Sequence, residues 1–248
     1  MRKDRDAYGH SLWDYYTKSK FAMPETIERR DGFIDHSAVA PKNYFSEFNE
    51  WPAIEKRAIR YAHGRVLDVG CGAGRVSLYL QNKKKLDVVG LDNSSLALKV
   101  CRARGLKKTK LLPFQRINFK PSTFQTIIMF GNNFGLFGNM KRARMLLRRL
   151  YRMTSKDGVI ICESLDPYQT KNPDHLSYQR ENRARGKMSG ELRIRARNRN
   201  YIGRWFDYLI VSKDEMKQVV RGTGWKAFRF VENKKSPLYI GVLRKENL

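Results

Sequence analysis

From residue 65 onward, short apolar runs alternate with longer amphipathic stretches. "RVLDVG" (65–70) reads as a buried strand and "GRVSLYLQNK" (74–83) as a helix. "LDVVGLDN" (86–93) is a second strand, and "SSLALKVCRARG" (94–105) a helix that Ser94 or Ser95 can cap. "TKLLPF" (109–114) and "FQTIIMFG" (124–131) give strands three and four. "NMKRARMLLRRLYRMTS" (139–155) is helical, and "GVIICESL" (158–165) is strand five. Strands alternating with helices at this spacing predict a parallel sheet covered on both faces.

Outside this block the rhythm changes. Residues 1–52 are aromatic and polar without a steady period, and are expected to form an N-terminal extension or lid. Pro52 opens a helix, "PAIEKRAIRYA", that Gly64 can end. Residues 166–190 are polar and rich in Pro, Asn and Arg, too long for a routine connection. A strand-periodic segment follows over 191–211, then a helix over 212–224 and a terminal β-hairpin, "WKAFRFVEN" and "PLYIGVLRK". No repeat or linker divides the chain, so residues 1–248 are read as one domain. Its parts are the extension (1–52), a ligand-binding half (53–165), a basic insertion and strand (166–211), and a C-terminal helix and hairpin (212–248).

The first strand-to-helix turn, "VLDVGCGAGR", carries candidate chemistry. Gly70, Gly72 and Gly74 allow a tight turn and a close ligand approach. Asp92 ends the next strand about 20 residues on, the position from which an acid accepts hydrogen bonds from ribose hydroxyls. Asp68 precedes the glycines, and the whole resembles motif I of the class I S-adenosylmethionine-dependent methyltransferases. The resemblance covers roughly residues 52–165, and the terminal hairpin fits that family's reversed last strand. It implies an α/β Rossmann-like fold with a mostly parallel seven-stranded sheet, an antiparallel last strand and helices on both faces. It further implies that Gly70, Cys71, Gly72 and Gly74 wrap the methionine part of S-adenosylmethionine, that Asp68 orients the loop from below, and that Asp92 with Asn93 holds the ribose. Gln115 would meet the adenine and Gly131 would border the methyl group. The family often has an acid after strand three and Phe-Asp entering strand four; here those places hold Phe114-Gln115-Arg116 and Phe124-Gln125.

After strand four comes "GNNFGLFGN". Methyltransferases of exocyclic base amines carry an Asn or Asp and an aromatic in this loop. Carbonyl acceptors draw the amine protons and aim the nitrogen lone pair, while the aromatic stacks on the base. Asn132, Asn133 and Phe134 supply those residue types, without the usual proline and with a spacing one shorter. The alternative is that the asparagines cap the next helix or form an Asx-turn. "DPYQ" (166–169) resembles a fragment of the same motif in the next loop, which makes Asp166 and Tyr168 candidate substrate contacts.

Charge adds a partner. Fifty Lys and Arg against 24 Asp and Glu give a net charge of +26, which suits a polyanion, nucleic acid foremost. In "LRIRARNR", Arg193, Arg195, Arg197 and Arg199 alternate with other residues, so a strand would set all four on one face, about 6.6 Å apart. The helix at 139–153 adds six cations and no acid. The chain lacks a run of about 18 apolar residues and a leader-like apolar start, so no membrane span and a cytoplasmic location are expected. Cys71, Cys101 and Cys162 form no CxxC pair and are expected as reduced thiols without a metal site, Cys162 in the core.

These features predict a methyltransferase acting on RNA, at an exocyclic base amine. "FGNNFGLFGN", "ESLDPYQT" and "GRWFDYLIVS" together resemble archaeal and thermophile enzymes, including one that makes N4-methylated cytidine in small-subunit ribosomal RNA. A small-molecule methyltransferase with the insertion as a lid, and a non-catalytic RNA-binding scaffold, are the alternatives.

Overall fold

The computed structural model describes residues 5–35 and 40–246. Residues 1–4 and 36–39 of the expected extension, and residues 247–248 after the terminal hairpin, lie outside the described residues.

The alternating pattern forms the elements it predicts. Strands β3 (Arg65–Val69), β4 (Asp87–Asp92), β5 (Thr109–Leu111), β6 (Phe124–Met129), β7 (Thr154–Leu165), β11 (Trp225–Glu232) and β12 (Leu238–Lys245) make a seven-stranded sheet in the order β11-β12-β7-β6-β3-β4-β5. β4 and β5 pair in parallel, as do β6 and β7. β12 runs antiparallel to both β7 and β11. The last strand thus enters between β7 and β11, as a reversed last strand requires. This is the expected α/β Rossmann-like sheet, mostly parallel with a reversed last strand.

The chain gathers into two compact units. The first comprises Met1–Trp51, Leu67–Ile117 and Arg193–Phe206. Here α1 (Ala7–Tyr16) packs on α4 (Ser95–Ala103), with Leu12 buried against Ala97, Val100 and Ala73. Ser94 caps α4, its Oγ accepting from Ala97 N at 2.9 Å. The aperiodic N-terminal segment also holds two short strands, β1 (Thr26–Arg29) and β2 (Ile34–Asp35). A second sheet forms from these with β8 (Glu191–Asn198), β9 (Tyr201–Ile202) and β10 (Phe206–Leu209). Its order is β10-β8-β1-β2, with β1 antiparallel to β8 and β9 beside β8.

The second unit comprises Pro52–Val66, Asn118–Leu192 and Asp207–Leu248. α2 (Ala53–Ala58) follows Pro52 and tightens into a 3-10 turn over Ile59–Tyr61 before Gly64, at φ +60°. α5 (Met140–Met153) buries Ala143, Leu146, Leu147, Leu150 and Met153, the 3.6-residue stripe of a core-facing helix. The polar insertion is not irregular throughout: it folds into α6 (Pro173–Ala184), capped by Asn172 with Pro173 at its first position. α7 (Lys213–Val220) starts at a capping box of Ser212 and Glu215.

Candidate active site

The glycine turn after β3 is built by backbone geometry. Gly70, Gly72 and Gly74 have φ of +71°, +56° and +81°, values that exclude most side chains. Gly70 N and Cys71 N donate to Leu91 O at 2.8 and 3.1 Å, tying the turn to β4. Gly72 N donates to Asp92 Oδ2 at 3.0 Å, and Ser94 N to Asp92 Oδ1 at 2.9 Å. The Asp92 carboxyl is therefore fixed at the end of β4, and burial pushes its pKa up to about 6. Each carboxylate oxygen keeps a lone pair that ribose hydroxyls can fill. Asp68 lies beneath the turn, accepts from Ser77 Oγ at 2.6 Å, and is likewise pushed up to about 6 by burial. Its reach is to α3 (Arg75–Asn82), so it anchors the turn from below. Cys71 is buried with Cys101, their sulfurs 3.9 Å apart. Asn93 and Gln115 are exposed, Gln115 within a 3-10 turn over Phe114–Arg116.

Sequence reading missed what covers this turn. Tyr8 of α1 places its hydroxyl over Gly72, forms an edge contact with Tyr44 at 5.3 Å between ring centres, and has its pKa raised by burial and by Tyr44 and Asp92. Tyr44 donates to Glu25 at 2.7 Å, and Ser11 to the other Glu25 oxygen at 3.0 Å. Asp6 is buried, caps α1 and accepts from Ser94 Oγ at 2.8 Å. No sequence period marked these residues, because short aromatic and acidic segments carry none. The donor set of the turn fits S-adenosylmethionine: a left-handed glycine turn lies beside the buried Asp92 carboxyl.

In the second unit, the loop after β6 turns through two consecutive left-handed residues, Gly131 (φ +71°) and Asn132 (φ +60°). Asn tolerates that conformation better than other residues with a Cβ. Glu163, buried near the end of β7, accepts from Asn132 N at 3.2 Å and Gly131 N at 3.4 Å. Tyr208 of β10 donates to Asn132 O at 2.5 Å, and its ring fills the space a Cβ on Gly135 would need. Burial and the nearby Glu163 push the Tyr208 pKa up. Asn132 Oδ1 is buried and accepts no hydrogen bond. Neither asparagine caps the following α-helix. That role falls to Asn139, whose side chain accepts from Arg142 N at 2.9 Å. Asn133 begins a 3-10 turn over Asn133–Phe137.

Three groups of expected site residues are placed as follows. Phe134 is fully buried, edge-on to Phe137 at 5.0 Å, and offers no face to a stacking base. Asp166 shapes its own turn, accepting from Tyr168 N at 3.0 Å and Gln169 Nε2 at 3.2 Å. Tyr168 donates to Glu215 at 2.7 Å on the surface. Three arginines of the comb are paired within the protein. Arg195 forks onto Glu28 at 2.8 and 2.9 Å, and Arg197 reaches Glu28 at 3.0 Å. Arg199 lies beyond the end of β8 at φ +50° and pairs with Asp14. Arg193 sits on β8, where its carbonyl accepts from Arg30 N at 2.9 Å. β1 supplies an acid directly opposite Arg195, which a sequence without a visible β1 could not reveal.

The three cysteines are free and buried, Cys162 inside β7. Among the described residues, no cluster of three metal-ligating side chains occurs, and no helix is long and apolar enough to cross a membrane.

Comparison with known proteins finds similar chains. A family described as "Methyltransferase domain" matches residues 66–158. A Geobacillus sp. (strain WCH70) protein with a provisional methyltransferase name is 24% identical over 137 residues, 52% of this chain and 54% of its own length. The (S)-coclaurine N-methyltransferase of Thalictrum flavum subsp. glaucum is 31% identical over 117 residues, 45% of this chain and 31% of its own. The chain thus spans about half the length of the first relative and a third of the second. The crystal structure of a Bacteroides fragilis SAM-dependent methyltransferase in complex with S-adenosyl-L-homocysteine superposes with a TM-score of 0.83 at 24% identity, covering 100% of this chain and 98% of that one. Residues 66–158 thus match a methyltransferase family, and the fold is the one that the Bacteroides fragilis enzyme has.

Proposed function

We propose that this chain is a cytoplasmic S-adenosylmethionine-dependent methyltransferase that methylates an amine nitrogen, an exocyclic base amine of RNA. N4 of cytidine in small-subunit ribosomal RNA is the specific case that the resemblance names. One observation carries the amine: Asn132 Oδ1 is buried with no donor. An orphaned acceptor is costly, and an N–H-bearing ligand is what satisfies it.

S-adenosylmethionine supplies an electrophilic methyl group on a sulfonium sulfur. The protein's part is to hold and to aim. The Gly70–Gly74 turn and the Asp92 carboxyl hold the cofactor. Glu163 pins the amides of Gly131 and Asn132, which keeps the loop in its left-handed turn. Tyr208 occupies the Asn132 carbonyl, so the side-chain oxygen is left to accept an N–H. Drawing that proton toward Oδ1 frees the nitrogen lone pair from the ring and points it for attack. No general base of shifted pKa is needed before transfer, since the proton leaves after the nitrogen is methylated.

RNA as the carrier of the amine rests on the net charge of +26. A second reading, a small amine acceptor, is favoured by the burial of Phe134, which removes a stacking platform. The name of the N-methyltransferase relative points the same way. Incubation with methyl-labelled cofactor and either total RNA or coclaurine tests both. Label in a digested nucleoside supports the first, and label in coclaurine alone supports the second. Label in neither, with cofactor bound, removes both acceptor assignments.

A further inference from the structure

The cationic character predicted for β8 is partly offset by Glu28 and Asp14, and the net charge of the chain remains. α5 carries Lys141, Arg142, Arg144, Arg148, Arg149 and Arg152 and no acid. Arg142 is paired with Asp207 at 3.1 Å. Arg144 and Arg148 donate instead to the carbonyls of Gln218 and Gly222, at 3.1 and 3.3 Å, and so retain their charge. Two open hollows flank the C-terminal half of this helix and share Arg152. One, of about 390 Å³, is lined by Phe119, Pro121, Arg149 and Met153. The other, of about 610 Å³, is lined by Met145, Arg148, Tyr151 and Gly224. Each is lined by apolar or aromatic side chains together with guanidiniums.

We propose that this face of α5 is an RNA-docking surface, with phosphates on Arg148 and Arg152 and unpaired bases in the two hollows. The inference rests on the RNA reading above and names where RNA is held apart from the reacting amine. Charge complementarity selects a polyanion, and guanidinium forks suit phosphate oxygens. Apolar and aromatic walls beside a basic track are what single-stranded nucleic acid uses. An anionic membrane fits less well. A membrane-binding helix needs its apolar face free, whereas the apolar face of α5 is buried in the core. α5 starts directly after its cap Asn139, close in sequence to the Asn132 loop, and stops before Thr154, where β7 starts. Its 14 residues span about 21 Å at 1.5 Å each. A partner touching both ends is therefore several nucleotides long, which a free nucleoside is not.

The test uses the full chain, a fluorescein-labelled oligouridylate and a salt series. Wild type should bind with a steep salt dependence. Arg148→Gln/Arg152→Gln should lower the log–log slope by roughly 1.4, at about 0.7 per single-strand phosphate contact. Cofactor affinity and thermal unfolding should be unchanged in the double variant. An unaltered slope in a variant that still binds overturns the assignment of this face while leaving the RNA reading intact. Wild type that fails to bind overturns the RNA reading itself. Phosphatidylserine vesicles form the second arm: loss of vesicle binding with RNA binding kept makes α5 a membrane-contact face instead.

Discussion

The hydroxyl oxygen of Tyr8 stands 2.5 Å from the position a Cβ would take on Gly72. The cofactor turn is therefore closed from above by α1 as well as shaped by its own glycines. Gly72→Ala meets two obstacles, the left-handed φ of +56° and the Tyr8 hydroxyl. The first costs about 1–2 kcal/mol. Tyr8→Phe removes the second. Urea unfolding of both single variants and the double should show Gly72→Ala to be less destabilising when combined with Tyr8→Phe. Equal destabilisation with and without Tyr8→Phe would mean that Tyr8 does not crowd this glycine. Gly72→Val should abolish S-adenosylmethionine binding by calorimetry in either background.

Asp92 predicts a pH dependence. Its free-protein pKa is pushed up to about 6 by burial, with the Ser94 and Gly72 amides pulling the other way and Asp6 adding to the rise. Ribose hydroxyls donate to the ionised form, so binding favours ionisation. Cofactor affinity should be full above about pH 7 and fall as pH drops through 6. For stability the sign is opposite: a raised carboxyl favours the folded state at low pH, and that contribution is lost as pH rises through 6. Asp92→Asn should flatten the binding profile and weaken affinity throughout. A wild-type affinity independent of pH between 5 and 8 would separate Asp92 from the cofactor.

The alternation from residue 65 to 165 was legible because strand and helix periods differ, and the glycine turn because few residues tolerate φ near +60°. Ser94 as a cap was legible for the same local reason. Glu28 against Arg195 was not, since four residues of β1 carry too little pattern to be seen, and the pairing joins positions 28 and 195. Phe134 looked like a stacking residue from its neighbours, but burial is set by tertiary packing against Phe137. Glu163 does carry a signal: an acid in the otherwise apolar "GVIICESL" implies a partner inside the fold.

The Glu28 cluster makes a prediction about charge. Glu28 holds two guanidiniums, and the Arg195 hydrogen bonds and charge lower its pKa. Stability from this cluster should be present above the ordinary carboxylate range and lost as pH falls through the depressed value. Arg195→Gln/Arg197→Gln should leave the salt slope of RNA binding near wild type, since both guanidiniums are held on the Glu28 carboxylate. A drop of more than about one unit, with each strand contact worth about 0.7, would restore them as phosphate ligands.

Phe134→Ala tests packing against recognition. A fully buried Phe truncated to Ala typically costs about 3–5 kcal/mol. The loss should appear in urea unfolding and track any fall in activity. A stable, cofactor-binding variant with acceptor affinity alone impaired would return Phe134 to the acceptor site.

Asn132 separates turn from chemistry. Its backbone is held by Glu163 and Tyr208, whereas its Oδ1 has no partner. Asn132→Ala keeps both backbone bonds, but loses the residue's tolerance for φ +60° and the orphaned oxygen. Asn132→Gly keeps the backbone bonds and accommodates φ without strain. If the oxygen only shapes the turn, Asn132→Gly should be as active as wild type and Asn132→Ala mildly unstable. If the oxygen accepts the amine proton, both variants should lose single-turnover rate, by about 10²–10³ for one preorganised contact. Cofactor affinity should be unchanged in both, because the loss belongs to the chemical step. Glu163→Gln should behave differently, weakening the bonds that the Gly131 and Asn132 amides donate to it and reducing stability as well as rate. A wild-type rate in Asn132→Gly would move the acceptor contact away from this side chain, leaving the Glu163 carboxylate as the next oxygen to test.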